Sequence, residues 1–406
     1  MKRRTFLATA AASSAIPAAS RQTDSLKVGV IGHTGRGNYG HGLDVVWKNI
    51  PETRIVGVAD GNPKGLTAAK EKLGAEVATT DYREMLMKVR PDIVAVCPRH
   101  PDQHHAMMTA ALESGAKGIY VEKPFCRTPA EAASVVALAK KSQAKVAVAH
   151  RNRYHPTLQA IDTMIKRGDL GRVLEIRGRG KGDRRGGGED LWVLGSHTVN
   201  LISYFAGRPL SCSAIMKVKG KPVTRADVYD GNEALGPLAG DEVHARYEME
   251  NGLIATFDSL ANDQTGGHGF GLQIIGSRGI VSIKVDRHPL AHFVPGNPFE
   301  PTDKSRPWIP ISTAGPGTAE PRNDLVEMIS HHGRPARDLI ECLGTDRQPL
   351  CSGEEGETTV QMICAVFDSH RQGGKAVSMP LEYSGNALEL PAEQWTAPRP
   401  RRGDSA

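Results

Sequence analysis

The sequence predicts an α/β fold in which a doubly wound parallel sheet is followed by an α+β domain with a large open, mostly antiparallel sheet. Between residues 26 and 149, short β-branched runs alternate with helical stretches, which indicates repeated β–α units. From residue 172 onward, alternating strands are separated by Asn-Gly and Ser-Arg-Gly turns, which is typical of antiparallel pairing. A length of 406 residues accommodates both domains.

The first domain, residues 26–149, is predicted to contain five strands that are short and apolar enough to be buried in a parallel sheet. They run over residues 26–31, 54–59, 93–97, 118–121 and 146–149. Helical stretches separate them, one from the glycine-rich segment through Trp47 and the others over residues 63–73, 103–114 and 129–142. This alternation is what predicts the doubly wound arrangement.

The second domain, residues 150–385, is predicted to consist mainly of strands joined by tight turns. The strands run over residues 173–178, 213–218, 241–248, 252–260, 270–276 and 279–285. Helices are expected near His197 and over residues 323–329, 336–343 and 354–370, and a Pro- and Gly-rich loop over residues 294–321. Residues 386–406 are expected to form a tail.

The first twenty residues are predicted to be a twin-arginine export signal. Arg3 and Arg4 precede Thr-Phe-Leu, and an Ala-rich stretch runs on to Ala19. That stretch is too short to span a membrane, and the small residues at its end suit cleavage. We therefore expect a periplasmic or otherwise extracytoplasmic protein. An ordinary secretory signal or an uncleaved anchor are the alternatives.

Composition excludes several other classes of function. The formal net charge is +6, of which the first four residues supply +3, so the remaining chain is too weakly basic to predict nucleic-acid binding. No later stretch reaches about 18 apolar residues, so no membrane span is predicted. The six cysteines form no Cys-x-x-Cys pair, and no metal site is predicted.

A glycine-rich loop follows the first predicted strand. Gly32 and Gly37 occupy the outer positions of G-x-G-x-x-G, Thr34 stands at the middle position, and Gly35 lies one place later. Such glycines let the backbone approach a dinucleotide pyrophosphate at a helix N-terminus. Asp60 ends the second strand. A carboxylate at this position accepts hydrogen bonds from the ribose hydroxyls of NAD and repels the 2′-phosphate of NADP. The loop therefore predicts NAD, with NADP less favoured, unless Asp60 merely caps a turn.

Four further motifs resemble those of the Gfo/Idh/MocA family, which contains glucose–fructose oxidoreductase and inositol dehydrogenases. They are Cys-Pro-Arg-His at 97–100 with His104, Glu-Lys-Pro at 122–124, Arg-Tyr at 153–154, and a glycine block at 186–188 followed by Gly-Ser-His at 195–197 and Asn200. The resemblance covers residues 26–385 and implies a Rossmann domain that binds NAD. It adds Pro98, His104, Glu122 and Lys123 to the predicted cofactor site.

The resemblance also implies catalytic residues. Lys123 would lie beside the nicotinamide and hold or protonate the reacting oxygen. His197 matches the family histidine, and its place at the start of a helix would lower its pKa and suit a neutral base. The family aspartate is missing, because Val193 stands there, so Asp190, or else Glu189, would replace it. Arg153, Tyr154 and His197 are the predicted substrate residues.

These residues together predict an NAD(P)-dependent oxidoreductase that acts on a hydroxyl of a sugar, glycoside or cyclitol. Export from the cytoplasm would require NAD to stay bound and to be recycled within each turnover. One alternative is an NAD-dependent glycoside hydrolase or lyase that works by transient oxidation and elimination. Another is a non-catalytic binding protein that keeps the dinucleotide fold, motivated by Val193. By resemblance, a homo-oligomer would form through the sheet of the second domain.

Overall fold

The computed structural model describes residues 25–325 and 331–396. The predicted export signal, most of the predicted helix over residues 323–329 and the end of the predicted tail lie outside these residues.

The first domain is built on a six-stranded sheet in which every neighbouring pair is parallel. Its strands are β1 (Leu26–Gly32), β2 (Thr53–Asp60), β3 (Val77–Thr79), β4 (Ile93–Val96), β5 (Gly118–Val121) and β6 (Lys145–Val148). The order across the sheet is β3-β2-β1-β4-β5-β6, which confirms the predicted doubly wound arrangement and places its switch point between β1 and β4. Only β3 was missed, because three residues carry no periodic pattern.

Four α-helices connect these strands: α1 (Pro63–Leu73), α2 (Tyr82–Val89), α3 (His104–Glu113) and α4 (Pro129–Lys141). Their ends follow from local chemistry. The Asn62 side chain accepts hydrogen bonds from the first turn of α1, and Gly74 ends that helix at a φ of 66°. Thr128 caps α4 in the same way. The three predicted helices over 63–73, 103–114 and 129–142 are confirmed. The structure also contains α2, which the sequence analysis did not predict.

The predicted helix between the glycine-rich loop and Trp47 is wrong. Residues 33–45 form successive turns, in which Gly35, Gly37, Gly40 and Gly42 have positive φ values, and only a short 3-10 helix, Val46–Asn49, follows. Repeated glycines at positive φ are incompatible with a right-handed helix and explain the difference. The loop therefore has no α-helix N-terminus directed at the switch point.

The second domain begins with helices and continues as a sheet. A 3-10 helix, Arg151–Tyr154, leads into α5 (Thr157–Arg167), and α6 (Gly188–Val193) and α7 (Gly195–Ala206) follow the strand β7 (Val173–Arg179). The remaining strands are β8 (Pro209–Val218), β9 (Lys221–Pro222), β10 (Tyr229–Gly231), β11 (Gly236–Leu238), β12 (Glu242–Met249), β13 (Ile254–Leu260), β14 (Gly271–Gly276), β15 (Gly279–Lys284), β16 (Ala291–Pro295), β17 (Ile309–Ser312), β18 (Gly315–Pro316) and β19 (Val377–Ser378).

The large sheet has the order β18-β17-β16-β15-β14-β7-β13-β12-β8-β19, with β9 paired to β8. All its pairs are antiparallel except β13 with β7, so the prediction of a mostly antiparallel sheet is confirmed. The prediction of a loop over residues 294–321 is wrong in part, because β17 and β18 lie within it. Pro310 and Pro316 hid these strands, since proline is tolerated only near sheet edges.

Two C-terminal helices, α8 (Gly333–Cys342) and α9 (Gly353–Arg371), confirm the predicted helices over 336–343 and 354–370. Helix α8 packs on the first domain, because Ala336 and Leu339 belong to the same buried cluster as Trp47 and Tyr120. Among the described residues, no helix is long and apolar enough to cross a membrane.

Candidate active site

The carboxyl ends of β1 and β2 bring Gly32 and Asp60 side by side as paired residues. The Asp60 carboxylate is buried and accepts hydrogen bonds from the Thr34 hydroxyl at 2.7 Å and the Tyr39 hydroxyl at 2.8 Å. The backbone N–H groups of Thr34 and Asn62 also donate to it. Asp60 therefore holds the glycine-rich loop against the strand ends.

Two glycines of this loop are required by close contacts. A Cβ on Gly32 would lie 2.1 Å from the Tyr39 ring, which packs against the end of β1. A Cβ on Gly37 would lie 2.3 Å from the backbone nitrogen of Arg99, which donates a hydrogen bond to the Gly37 carbonyl. The loops after β1 and β4 are thus in direct contact at the switch point. Gly35, in contrast, has open space where a Cβ would point.

The residues at this edge fit a nicotinamide dinucleotide. The carboxylate of Asp60 accepts hydrogen bonds from two hydroxyl groups, those of Thr34 and Tyr39. The vicinal hydroxyls of an adenosine ribose are donors of the same kind. A ribose bound there would replace the hydroxyls of Thr34 and Tyr39 as donors. Asp60, Thr34 and the open side of Gly35 would hold the adenosine half, and Lys123 would lie beside the nicotinamide half.

His104 and Pro98 help to fix the loops at the carboxyl ends of β4 and β5. The His104 ring is fully buried, with Nε2 2.7 Å from the Pro98 carbonyl oxygen and Nδ1 2.9 Å from that of Pro124. Burial lowers the pKa of His104, although these carbonyls favour its protonated form. His104 therefore ties the loop after β4 to the loop after β5, and it positions the predicted cofactor residues around it.

Lys123 is buried at the carboxyl end of β5, and its Nζ donates to the backbone carbonyl of Val193 at 2.8 Å. Burial lowers the pKa of Lys123, an effect that the adjacent Glu122 carboxylate opposes. Glu122 accepts from the Lys123 backbone N–H at 2.6 Å and pairs with His41. Although burial raises the pKa of Glu122, the hydrogen bond from His41 and the charge of Lys123 lower it to about 2.

His197 lies on the first turn of α7 and faces a second buried histidine. Its Nδ1 is 3.4 Å from Nδ1 of His150, and the two rings meet edge to face. Burial, followed by the charge of Lys123, lowers the pKa of His197, and burial also lowers that of His150. Both rings are therefore neutral near pH 7. Among the described residues, no group bonds to Nε2 of His197, so this nitrogen is available to a substrate.

Two carboxylates, Asp286 in the connection after β15 and Glu122, favour the protonated form of His197 through their charge, and Asp286 has the larger effect. Its Oδ1 accepts from Nδ2 of Asn152 at 3.1 Å and forms an ion pair with Arg151 at 3.0 Å. Burial raises the pKa of Asp286, but His197, Arg151 and Asn152 outweigh it and lower that pKa. No sequence motif pointed to Asp286, because it lies far from every motif and comes near the site only in the folded protein.

A second residue absent from the sequence prediction is His332. It is buried, and its Nδ1 lies 2.6 Å from the hydroxyl of Tyr120, which is the donor because burial keeps the pKa of Tyr120 high. Burial also lowers the pKa of His332 to about 4, with Glu122 acting in the opposite direction. His332 thus adds a neutral imidazole to the Glu122 side of the site.

Asp190 does not replace the missing aspartate beside Lys123 and His197. It is buried on α6, where Oδ2 accepts from the Ser259 hydroxyl at 2.5 Å and from the Lys181 backbone N–H at 3.1 Å. The alternative, Glu189, accepts from Asn232 instead. The catalytic assignment of Asp190 is therefore corrected to a structural one, because its hydrogen bonds hold α6 to the large sheet.

Arg153 and Tyr154 also have structural partners. Arg153 donates to the carbonyls of Leu350 at 3.0 Å and Asn200 at 2.9 Å, and forms an ion pair with Glu355 at 2.8 Å. The Tyr154 hydroxyl donates to Asp338 at 2.9 Å and accepts from the Cys351 N–H at 3.1 Å. We therefore revise their predicted role in substrate binding. Both join the 3-10 helix at 151–154 to the C-terminal helices.

Profiles of two protein families match the chain. One, an oxidoreductase family with an NAD-binding Rossmann fold, matches residues 26–150, and the other, the GFO/IDH/MocA C-terminal domain, matches residues 158–282. The chain belongs to the Gfo/Idh/MocA oxidoreductase family.

Named relatives of this Gfo/Idh/MocA protein include sugar dehydrogenases. It is 23% identical over 258 residues to levoglucosan dehydrogenase of Pseudarthrobacter phenanthrenivorans, covering 57% of this chain and 65% of that one. It is 26% identical over 221 residues to D-glucoside 3-dehydrogenase of Escherichia coli, covering 51% and 60%. The chain thus spans less than two thirds of these relatives.

Solved structures support the fold of this family member over most of its length. A levoglucosan dehydrogenase in complex with NADH and levoglucosan superimposes with a TM-score of 0.67 at 20% identity. The superposition covers 88% of this chain and 99% of that one. Where the family motif has an aspartate, this protein has Val193, and it is the backbone carbonyl of Val193 that accepts from Lys123.

Replacing Asp190 with asparagine should stabilise this Gfo/Idh/MocA protein above pH 6. Burial raises the pKa of Asp190 to about 6, so the folded protein binds this proton more tightly than the unfolded chain. Wild-type stability therefore falls as the pH rises from 4 through 6, by at most about 3 kcal/mol. An asparagine keeps an acceptor for Ser259 and Lys181 without the charge. Urea unfolding at pH 4.5 and pH 7.5 measures this, and a pH-independent difference between the two proteins would contradict it.

Replacing Arg153 with lysine should lower stability and leave KM unchanged. A lysine keeps the charge but cannot donate at once to Leu350, Asn200 and Glu355, so about 2 kcal/mol should be lost. Thermal unfolding and steady-state kinetics on the same preparation test the two parts. The exposed Arg177 offers a matched control, since its ion pair with Glu175 is at the surface. A raised KM with unchanged melting would restore a substrate role.

Proposed function

We propose that this protein is an NAD(H)-dependent oxidoreductase that acts on a hydroxyl of a sugar, glycoside or cyclitol. The observation that carries the proposal is the placement of Lys123 and neutral His197 together at the carboxyl edge of the dinucleotide sheet. The names of two relatives support the substrate class, since one is a levoglucosan dehydrogenase and the other a D-glucoside 3-dehydrogenase.

The two side chains divide the chemistry at the hydroxyl. Bound NAD supplies the acceptor for the hydride that leaves the carbon. Nζ of Lys123, fixed by Val193, donates a hydrogen bond to the reacting oxygen and stabilises its negative charge. Nε2 of His197 accepts the hydroxyl proton, which balances the charge as the carbonyl forms. Asp286 stabilises the imidazolium that results.

The experiment that tests this function is a substrate screen with the protein as isolated. Free sugars, methyl glycosides and cyclitols are added with NAD, and NADH absorbance and organic products are followed together. Formation of NADH with a keto sugar supports the proposal. Release of an aglycone without net NADH would identify the redox-neutral glycosidase alternative. No chemical change with any compound would overturn both.

Asp60 supports a preference for NAD over NADP. Replacing it with asparagine keeps the shape of the side chain but removes the negative charge. That charge strengthens the hydrogen bonds from the ribose hydroxyls and repels a 2′-phosphate. We expect NAD affinity to fall about tenfold and the discrimination against NADP to shrink. Titration of both dinucleotides by calorimetry measures the two constants. Asp102, paired with Arg36 at the next loop, provides a control substitution. An unchanged ratio of the two affinities would contradict a contact between Asp60 and the ribose.

We further propose that the protein is exported by its twin-arginine segment with the cofactor already bound. That pathway carries folded proteins, and NAD is scarce outside the cytoplasm. Denaturing the purified exported protein and assaying for released dinucleotide tests retention. Cell fractionation of a variant with Arg3→Lys and Arg4→Lys tests the route. Absence of released dinucleotide would sink retention, and unchanged export of the variant would sink the twin-arginine route.

The sheet of the second domain supports a proposed homo-oligomer. Three of its apolar side chains are more than one-third exposed, namely Leu174, Leu210 and Ile215. Apolar side chains on one open sheet are typical of a surface that pairs with another subunit. Light scattering of the wild type and of Ile215→Asp tests this, and a wild-type monomer at micromolar concentration would contradict it.

A further inference from the structure

His150 is a buried histidine beside the predicted base, and the proposed reaction does not use it. It lies two residues after β6, at the carboxyl edge of the parallel sheet, and only 2% of its surface is exposed. Two backbone hydrogen bonds fix the turn around it. Its N–H donates to the carbonyl of Val148 at 2.8 Å, and its carbonyl accepts from the N–H of Arg153 at 3.0 Å. The ring is therefore held in place where it faces His197.

The contact between the two rings requires one shared proton. Nδ1 of His150 lies 3.4 Å from Nδ1 of His197, and the ring centroids are 5.2 Å apart with an interplanar angle of 89°. Burial lowers the pKa of both rings, so each is neutral near pH 7 and carries a single proton. One of the two Nδ1 atoms must then donate, and the other must accept.

The surrounding charges assign the acceptor role to His150. Apart from the neighbouring histidine, the charged groups that act on His150 are Lys123 and Arg153, and both oppose a positive charge on its ring. His197, in contrast, faces charges of both signs, the cations Lys123 and Arg151 and the carboxylates Asp286 and Glu122. A proton added to the pair is therefore more stable on His197, and His150 stays neutral and accepts.

We propose that His150 is a positioning residue whose Nδ1 accepts the Nδ1 proton of His197 in a hydrogen bond, which leaves Nε2 of His197 free to take the hydroxyl proton of the substrate. The bond that one imidazole nitrogen makes determines which nitrogen carries the proton. This inference rests on the proposed function, because it assigns His150 a part in the same proton transfer.

The same hydrogen bond also serves the product of that transfer. Once Nε2 has taken the proton, His197 is an imidazolium, and its Nδ1–H donates to the neutral ring of His150. Such a charge-assisted bond is stronger than the 3.4 Å contact between two neutral rings. The proton stays on His197, so His150 lowers the energy of the charged state without changing its own protonation.

Two substitutions of His150 separate this role from packing. His150→Leu keeps an apolar side chain in the buried site but removes the acceptor, so kcat should fall about tenfold to a hundredfold with KM unchanged. His150→Asn can place its amide oxygen near the position of Nδ1 and should keep kcat within about threefold of the wild type. His155 offers a matched control, because it is also buried but its Nδ1 contacts the N–H of Thr157. His155→Leu should leave kcat unchanged.

Nitrogen-15 NMR of histidine-labelled protein locates the shared proton and needs no turnover. The signals of His197 are those that disappear in His197→Asn. In the wild type we expect a protonated Nδ1 and an unprotonated Nε2 on His197. In His150→Leu we expect a mixture of the two tautomers, because Nδ1 has lost its acceptor.

A proton on Nε2 of His197 in the wild type, or wild-type kcat in His150→Leu, would overturn the proposal. Equal loss of kcat in His150→Leu and His150→Asn would also overturn it, since the acceptor would not account for the loss. Failure of the proposed function looks different, because no keto product would form in the substrate screen. The wild-type NMR spectrum would then still decide whether His150 accepts the Nδ1 proton.

Discussion

Replacing Lys123 with methionine should lower kcat by about a thousandfold while NADH still binds. Methionine preserves the length and apolar contacts of the buried stem, so the loss reports on the ammonium group. That group is held by the Val193 carbonyl at the carboxyl end of β5, where its charge can stabilise a developing alkoxide. Steady-state kinetics with the best substrate from the screen, together with calorimetry of NADH binding, measure both quantities.

Lys145 offers a matched control for this substitution. Its side chain is as buried as that of Lys123, each 7% exposed, but it lies at the amino end of β6, away from the carboxyl edge. Lys145→Met should leave kcat unchanged even if it lowers stability. Full activity of Lys123→Met on the best substrate would favour the non-catalytic alternative, in which the dinucleotide fold serves binding alone.

Replacing His197 with asparagine should lower kcat by about a hundredfold or more, because no neutral base then takes the hydroxyl proton. The loss should shrink as the pH rises, since hydroxide in solution can replace the missing base. Wild-type activity, in contrast, should show no loss from protonation of His197 between pH 8 and pH 6, because burial lowers the pKa of His197 below that range. A pH–rate profile of the two proteins measures both effects.

His268 provides the control for this second substitution. It lies on an exposed turn, where its Nδ1 contacts Arg287 at 3.2 Å. His268→Asn should retain the wild-type profile. If His197→Asn lost activity by the same factor at every pH, His197 would be a positioning residue and the proton would pass to another group.

Asp286 and His332 show why part of this site was beyond sequence reasoning. Neither lies in a motif, and Asp286 stands 89 positions after His197 in the chain. The connection after β15 brings Asp286 to Arg151 and Asn152, which directly follow the His150 that faces His197. His332 reaches Tyr120 because the segment before α8 returns to the first domain. Long-range packing decided both placements, and a single sequence does not record such packing.

Asp190 illustrates the opposite error, in which spacing suggested a role that packing denies. Its distance from His197 along the chain fits a replacement for the missing aspartate. On α6, however, the side chain turns toward Gly180 and Ser259 of the large sheet. The carbonyl of Val193 instead accepts a hydrogen bond from Lys123. Every residue has a backbone carbonyl, so the amino-acid sequence does not indicate which one will serve as the acceptor.

Local sequence patterns were sufficient to predict the parallel sheet, the second sheet and the strand-end positions of Asp60 and Lys123. Those features depend on local patterns, since apolar runs and turn residues specify strands, and the family motifs name the residues that follow them. The hydrogen bonds by which Tyr39 and Asp60 hold the glycine-rich loop, and the charge interaction between Asp286 and His197, become visible only in the folded protein. These interactions join residues far apart in the chain, so their energies depend on the assembled fold.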